Sequence, residues 1–570
     1  MEIKNNWNRP DAEEYFYLYE ILKKHFSFNE KKYGDYIKDT IKILMYEEKN
    51  GEPIVNIDDN QIVCDLLMEG WPDIHLKALE ETGLINKDNS PIDFQNRCIS
   101  WKRWANKLEK IKSDLIKKST YKFGSQIQEK LKKIDDLGKI KEIFKISNLA
   151  LLQGGPGTGK SSLIIKLIIN YLDNDKNLNI GLAAPTGKAV AKLKESINQQ
   201  KNFFETNKFI KIECQTLHSW IFNINAKFCK LKFRLNELDV FIIDEMSMVN
   251  IDLLEMTISH LSNNCKILLV GDANQLPPIN SCSIWNHIFN NKNQSLFKSC
   301  TINLTKTYRN SGDIELLSKI IFKAHEESIN EKKIVDLSPR EENNLVISWE
   351  NETNIPNKLI QEIRIHLESL KNSISELNKN IQVLETDKEH LINVDKKIIS
   401  NVFRNLNSNM ILCQRNVGVW GVNEINKIFI KQEEPYNYES LEEGIPIMCT
   451  ENNNELGLSN GDIGVLIGNN ETRRFLFRKF NKNNQPVITL IEPSKLEKII
   501  PAIAITIHKA QGSEAKIVSV LWNNKIDKND FGDSNNVEED QICLRGGFEK
   551  RLFYTAITRA KEKLNIFLMR

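Results

Sequence analysis

LLQGGPGTGKSSLIIKL, Leu151 to Leu167, is the stretch on which the architecture turns. The apolar run Leu149 to Leu152 leads into the spacing G-x-x-x-x-G-K-[ST], met by Gly154, Gly159, Lys160 and Ser161, and a helical pattern comes next. Strand, glycine-rich turn and helix are the three parts of a P-loop, whereas a bland glycine turn needs neither flank. Gly154, Gly155, Pro156, Gly157, Thr158, Gly159, Lys160, Ser161 and Ser162 are therefore expected to cradle phosphates. Backbone N–H groups curl round the phosphate oxygens, and the helix N-terminus favours their charge. Lys160 reaches the outer phosphates and Ser161 is placed to ligate Mg²⁺. A P-loop of this kind sits in a parallel α/β sheet. The loop alone does not say whether hydrolysis of the triphosphate throws a switch, modifies a substrate or moves something; the motifs downstream of it do.

Further along the chain, LDVFIIDEMSMV ends four apolar residues, Val240 to Ile243, in Asp244 and Glu245. Carboxylates at the mouth of a parallel strand lie where ligands bind in such sheets. Asp244 suits the Mg²⁺ shell, and Glu245 suits orienting and deprotonating the attacking water. CKILLVGDANQLPPI is a further strand, ending in Gly271 and Asp272, with Gln275 placed to sense the γ-phosphate by a hydrogen bond. Arg309 in LTKTYRN and Arg559 in FYTAITRAKEKL are candidate arginine fingers. Tyr308 suits either stacking on adenine or an ordinary packed position.

Composition limits the alternatives. The 570 residues suffice for two to four domains, with 41% hydrophobic and 27% charged residues. No apolar run approaches the roughly 20 residues that span a bilayer, and the start, MEIKNNWNRP, lacks a secretory pattern. Ten cysteines are scattered without a C-x-x-C pair, which points to a reducing cytoplasm without structural zinc. Lys+Arg of 78 against Asp+Glu of 76 leaves +2, so any nucleic-acid contact has to come from a local groove.

The organisation reads as three regions. Residues 1–115 are mostly helical, with Trp101 and Trp104 flanking Lys102 and Arg103. Such a cluster suits base stacking or a buried domain or subunit interface, and the interface is favoured. Residues 116–325 alternate strand-like and helical runs, as a first P-loop lobe does. Residues 326–570 form a second lobe, with a helical segment at 360–395 and short strands with turns at about 445–500, expected as a small β-barrel-like insertion. Within the helical segment Ile363, Leu367, Leu370, Ile374, Leu377, Ile381, Leu384 and Leu391 form a heptad seam. It suits a coiled-coil arm or a helical hairpin on the second lobe, and we take it as structural.

In order along the chain stand GGPGTGKSS, AAPTGKAVAKL, QTLHSW, IIDEMSMV, GDANQLPPI, LTKTYR, ITIHKAQGSEA and FYTAITRAKEKL. The set resembles superfamily 1 DNA helicases. AAPTGKA, ILCQRNVGVWGVNEIN and LGLSNGDIG ahead of IHKAQGSE resemble the RecD family, the alpha subunit of exodeoxyribonuclease V. The resemblance implies two RecA-like lobes with ATP between them and a mainly helical N-terminal partner-interface domain. It also implies 5′→3′ movement on single-stranded DNA beside RecB and RecC subunits, in a complex for double-strand break repair and DNA degradation. By matching motif, Lys160, Ser161, Asp244, Glu245, Gln275, Arg309 and Arg559 serve ATP and Mg²⁺, and Glu514 touches the ribose. Pro185, Thr186, Thr216, His218, His508 and Lys509 line the DNA path, the alternative for the two histidines being packed core positions. The sequence departs from the family in IDDLGKIKEIF, which lacks the glutamine usual before the P-loop for reading adenine.

Two other classes stay open on sequence. One is a scaffold subunit that keeps the motifs but mainly completes an assembly. The other is a P-loop kinase or switch, which has no use for paired motifs so far downstream. No nuclease-like cluster of carboxylates and lysine stands out, so cutting by such a complex is expected of another chain.

Overall fold

A computed structural model describes residues 9–49, 51–58, 70–119, 131, 133–171, 177–200, 210–222, 231–278, 283–289, 294–308, 312–323, 334–336, 340–342, 344–350, 353–380, 382–383, 392–393, 396–430, 441–453, 455–468, 473–480, 486–523, 541–543 and 546–569. In the N-terminal region the helices Arg9–Phe26, Glu30–Lys49 and Asp73–Thr82 pack with an antiparallel sheet. Its strands are β1 (Ile54–Asn56), β2 (Ile92–Gln95) and β3 (Cys98–Trp101), in the order β1-β3-β2. Tyr19, Ile37, Ile41, Leu79 and Ile99 form their common core. The helix Lys102–Lys118 then turns Leu108, Ile111 and Leu115 into a different core, that of the first large sheet. These three recur at helical spacing, so one face is apolar and the other carries lysines. Lys107 pairs with Asp252, and Lys110 pairs with Glu255 at 2.7 Å. Trp104 is buried in that core, its indole N–H donating to Glu48 at 3.0 Å, so the tryptophan joins the N-terminal helices to the first sheet.

That sheet contains β4 (Leu149–Gly154), β5 (Leu178–Ala184), β6 (Ile210–Thr216), β7 (Val240–Ile243), β8 (Lys266–Gly271) and β9 (Thr301–Leu304). The order is β6-β5-β7-β8-β4-β9, and every pairing is parallel. Val240 to Ile243 are all buried, as both faces of a crossover sheet require. The helices Lys160–Tyr171, Gly187–Asn198 and Ile251–His260 return the chain between strands. All six strands therefore deliver their carboxyl ends to one edge, where Gly154, Pro185, Asp244 and Asp272 stand.

The second half repeats the plan. Beside the short pairs β10 (Ile334–Asp336) with β23 (Gln541–Cys543) and β13 (Gln382–Val383) with β14 (Ile392–Asn393), it has a second six-stranded sheet. This is β11 (Arg340–Glu341), β12 (Leu345–Glu350), β15 (Asn409–Cys413), β21 (Ala504–Thr506), β22 (Ala515–Asn523) and β24 (Ala560–Met569), in the order β11-β12-β24-β22-β15-β21. Only β11 runs antiparallel to its neighbour.

Between β15 and β21 the chain forms β16 (Pro446–Cys449), β17 (Ile463–Ile467), β18 (Arg474–Phe480), β19 (Pro486–Ile491) and β20 (Ile499–Pro501). They make an antiparallel sheet in the order β19-β18-β17-β16-β20, and no pairing among the described residues joins β19 to β20. Along β18 the side chains alternate: Phe475 and Phe477 enter the core shared with the second sheet, and Leu476 enters the opposite one. That opposite core also takes Leu370, Ile374 and Leu377 of the helix Asn357–Asn380, with Val402 and Phe403 of the helix Lys396–Leu406. The heptad seam is thus filled from within the chain, and its helix stops at Asn380. Ile381, Leu384 and Leu391 lie outside the described residues. No helix among the described residues is long and apolar enough to cross a membrane.

Candidate functional site

At the edge of the first sheet the loop after β4 turns through Gly157 and Gly159, with φ of 76° and 83°. Those left-handed values suit glycine and let the backbone curl back over itself ahead of the helix that starts at Lys160. The Lys160 ammonium donates to the carbonyls of Gly154 at 2.5 Å and Gly155 at 3.0 Å, so the loop holds its own cation inside the curl. The Tyr308 N–H donates to the Gly157 carbonyl at 2.8 Å, while the ring stays 70% exposed with the Lys306 ammonium 5.1 Å from its centroid. Tyr308 is thus tied to the phosphate loop by backbone and leaves its ring face open to the cleft.

The cleft is about 400 Å³ and is lined by the whole loop from Gly155 to Ser162, with Asp244, Glu245, Gln275, Tyr308, Glu514 and Arg559. Asp244 is buried, and burial followed by the neighbouring Glu245 charge pushes its carboxyl up, against the pull of Lys160. Glu245 sits at φ 57°, ψ 46°, a left-handed conformation that carries its side chain out of the line of the strand. Two adjacent carboxylates, one buried, form a site whose repulsion a divalent cation relieves, and the Ser161 hydroxyl lines the same cleft. The donor set therefore fits Mg²⁺ as well as a triphosphate.

Asp272 is the hub behind the loop. Its carboxylate accepts from the Tyr554 hydroxyl at 3.0 Å, from Gln275 Nε2 at 3.3 Å and from the Asn274 N–H at 3.0 Å. Burial raises its pKa, and burial beside Asp272 raises that of Tyr554. Tyr554 belongs to the second half, on the helix Gly546–Ile557. Two more bonds cross the same seam: the Leu276 N–H donates to Thr555 Oγ1, and Gln511 Nε2 donates to the Leu276 carbonyl, both at 3.1 Å. Just past that helix, Arg559 is buried and held by the carbonyls of Thr555 at 2.9 Å and Ser513 at 3.4 Å. It thereby reaches the cavity that holds Lys160.

A family model described as an AAA domain matches residues 140–281, which run from before the phosphate loop to the far side of Asp272. The RecBCD enzyme subunit RecD of Buchnera aphidicola subsp. Schizaphis graminum is 32% identical over 477 residues, 76% of this chain and 73% of that protein. The chain belongs to the RecD family. The RecD subunit of Buchnera aphidicola subsp. Acyrthosiphon pisum is 30% identical, covering 74% of this chain and 70% of its own. That of Haemophilus influenzae is 25% identical over 533 residues. A crystal structure of Bacteroides Pif1 helicase with ADP-AlF3 and ssDNA overlaps at 16% identity and a TM-score of 0.37, over 76% of this chain and 92% of that one, too loosely to argue from.

Set against the RecD motifs, the ATP-side residues converge, with one exception: Arg309 lies outside the described residues. Glu514 lines the cleft while accepting from Lys192 at 3.0 Å and pairing with Lys561 at 3.3 Å, so it also bridges the two halves. The motif residues matched to a DNA path stand apart from this cleft. Pro185 and Thr186 come after β5, and Thr186 Oγ1 caps the next helix by accepting from the Ala189 N–H at 3.2 Å. Thr216 ends the adjacent β6, its hydroxyl 2.9 Å from that of Ser219, and His218 is exposed. His508 stacks on Phe548, centroids 5.9 Å apart, and burial lowers its pKa. Lys509 donates its backbone N–H to Thr506 Oγ1 at 3.4 Å. Sequence reasoning missed Tyr554, Thr555 and Gln511, although the first two sit inside FYTAITRA. A hydroxyl-bearing pair one turn ahead of the arginine was the available signal.

Proposed function

We propose that this chain is the ATP-hydrolysing DNA helicase subunit of a RecBCD-type complex, moving 5′→3′ on single-stranded DNA beside RecB and RecC subunits in the cytoplasm. The observation that carries the reading is the meeting of Lys160 with Arg559, from opposite halves of the chain, on one cavity that also holds Asp244 and Glu245. A kinase or switch needs only the first half. A cleft built from both makes nucleotide state a matter of how the halves sit together.

In this reading the two halves are RecA-like lobes, 116–325 and 326–570, behind an N-terminal partner-interface domain of residues 1–115, with a barrel-like insertion at about 445–500. Lys160 and Arg559, joined by Arg309, stabilise charge on the transferred phosphoryl group. Glu245 orients the attacking water, and Gln275 reads the γ-phosphate. Ser161 and Asp244 would hold Mg²⁺, which would supply further charge neutralisation. Tyr308 offers its ring to the base, and Glu514 its carboxylate to the ribose. Pro185, Thr186 and Thr216 from the first half, His218 beside them, and His508 and Lys509 from the second grip the strand in turn. Cleavage loosens the Lys160–Arg559 clamp, and the two grips shift relative to each other.

The deciding experiment is unwinding of partial duplexes with 5′ or 3′ single-stranded overhangs, by the chain alone and with co-purified partners. Preference for the 5′ overhang, lost in Lys160→Ala, is expected. Preference for the 3′ overhang reverses the polarity, and unwinding by the complex that survives Lys160→Ala assigns this chain a scaffolding role. Phosphate contacts should make DNA binding fall steeply with salt and depend little on sequence.

A further inference from the structure

The joint between the halves is touched by a third element. Gly51 lies in the N-terminal region at φ +79°, with its Cα against the ring of Pro277: a Cβ there would fall 2.4 Å from Pro277 Cβ and 2.5 Å from Cγ. Its carbonyl accepts from the Ser283 N–H at 3.2 Å. The next residue, Glu52, accepts from Arg551 Nη2 at 2.8 Å. Glu52 is the carboxylate that pairs with Arg551 among the described residues, and the Arg551 side chain is only 15% exposed.

Both partners of this turn are neighbours of residues in the proposed ATP site. Pro277 comes after Leu276, whose N–H and carbonyl are bound by Thr555 and Gln511, and stands two residues after Gln275. Arg551 is one helical turn ahead of Thr555 on the helix that carries Tyr554 and ends two residues before Arg559. The Gly51–Glu52 turn therefore holds the first-half loop through packing and the second-half helix through charge, at the place where the two bind each other.

We infer that the Gly51–Glu52 turn is a positioning clasp for the ATPase. It seats the 275–277 loop and the Gly546–Ile557 helix so that Gln275 and Arg559 face the nucleotide together, and it makes hydrolysis responsive to the placement of the N-terminal region. The inference rests on the ATPase reading above. Glu52 and Arg551 do not line the cavity and act through the residues they hold. A small displacement of such a support lowers turnover while leaving the phosphate loop, and with it nucleotide affinity, intact.

The test uses the full chain and an oligo-dT strand, measuring stimulated ATP hydrolysis and, separately, binding of a fluorescent ATP analogue. Glu52→Gln and Gly51→Ala are expected to lower kcat about three- to tenfold, with KM for ATP and analogue affinity within about twofold of the parent. The exchanged pair Glu52→Arg with Arg551→Glu should regain most of the loss seen in either single change, a rescue that general destabilisation does not give. Thermal unfolding of each variant identifies any that fails to fold, and Glu52→Gln, a change of one atom at a half-exposed position, stands independently of Gly51→Ala. Parental kcat in Glu52→Gln, or an exchanged pair no better than the single changes, overturns the clasp. Absence of DNA-stimulated hydrolysis in the parent, or its persistence in Lys160→Ala, overturns the function instead.

Discussion

The first sheet ends its strands in groups that line or back the cleft: the loop after β4, Asp244 and Glu245 after β7, and Asp272 after β8. The second sheet has the same parallel plan, yet what it sends to the cleft is Arg559, with Tyr554, Thr555 and Gln511 as bonds across the seam. In the proposed reading one half holds the nucleotide and the other completes the site through Arg559. On that reading, two sheets of one architecture divide the reaction between them. The halves are joined by hydrogen bonds of about 3 Å around Asp272 and Leu276, by the Lys192–Glu514 pair, and by Leu276, Ile314, Leu317 and Ile321 entering the core of the second sheet.

This division of labour is most exposed in the half that holds the nucleotide. Lys160→Ala should reduce DNA-stimulated ATP hydrolysis by at least about 10³-fold, because the outer phosphates lose their cation at the transition state. Phosphate release measured with saturating oligonucleotide checks it. Arg559→Ala removes the contribution of the other half, and a loss of order 10² to 10³ in kcat is expected, with analogue binding largely retained. Equal damage to binding and to kcat would show that the arginine merely supports the fold. Tyr554→Phe deletes one hydrogen bond of the seam and leaves the buried Asp272 carboxylate short of a donor. It should cost kcat about three- to tenfold and leave KM for ATP unchanged, in steady-state assays. Ile374→Ala, in the core between the long helix and the β16–β20 sheet, should destabilise that unit by about 2–5 kcal/mol. ATP hydrolysis by the folded chain should be unaffected, as chemical denaturation followed alongside activity will show.

Legibility in the sequence tracked the range of the interaction. The phosphate loop, the strand ends at Asp244 and Asp272, and the run of short strands from Pro446 to Pro501 were readable because each is set by neighbours a few residues away. The heptad seam was readable as a buried helical face, but what covers it was not, since Val465, Ile467 and Leu476, which pack on it, lie far downstream. The Tyr554–Asp272 bond spans 282 positions and leaves no mark on local pattern. Thr186 and Thr216 were matched to a DNA path by motif, and the structure gives both a local task at a helix start, which Ser and Thr do at such positions generally. The Gly51–Glu52 turn was silent in sequence because one glycine followed by one glutamate is ordinary anywhere.

Glu245 bears on any attempt to harden this protein. It holds a left-handed backbone that most side chains avoid, at a cost on the order of 1 kcal/mol or more. A screen that selects only for heat resistance should be drawn to glycine or asparagine at this position, and each winner would lack the carboxylate to which the proposed mechanism gives the attacking water. Thermal robustness and turnover are therefore opposed at a single residue, and a toughened variant of this motor will have to find its gains elsewhere.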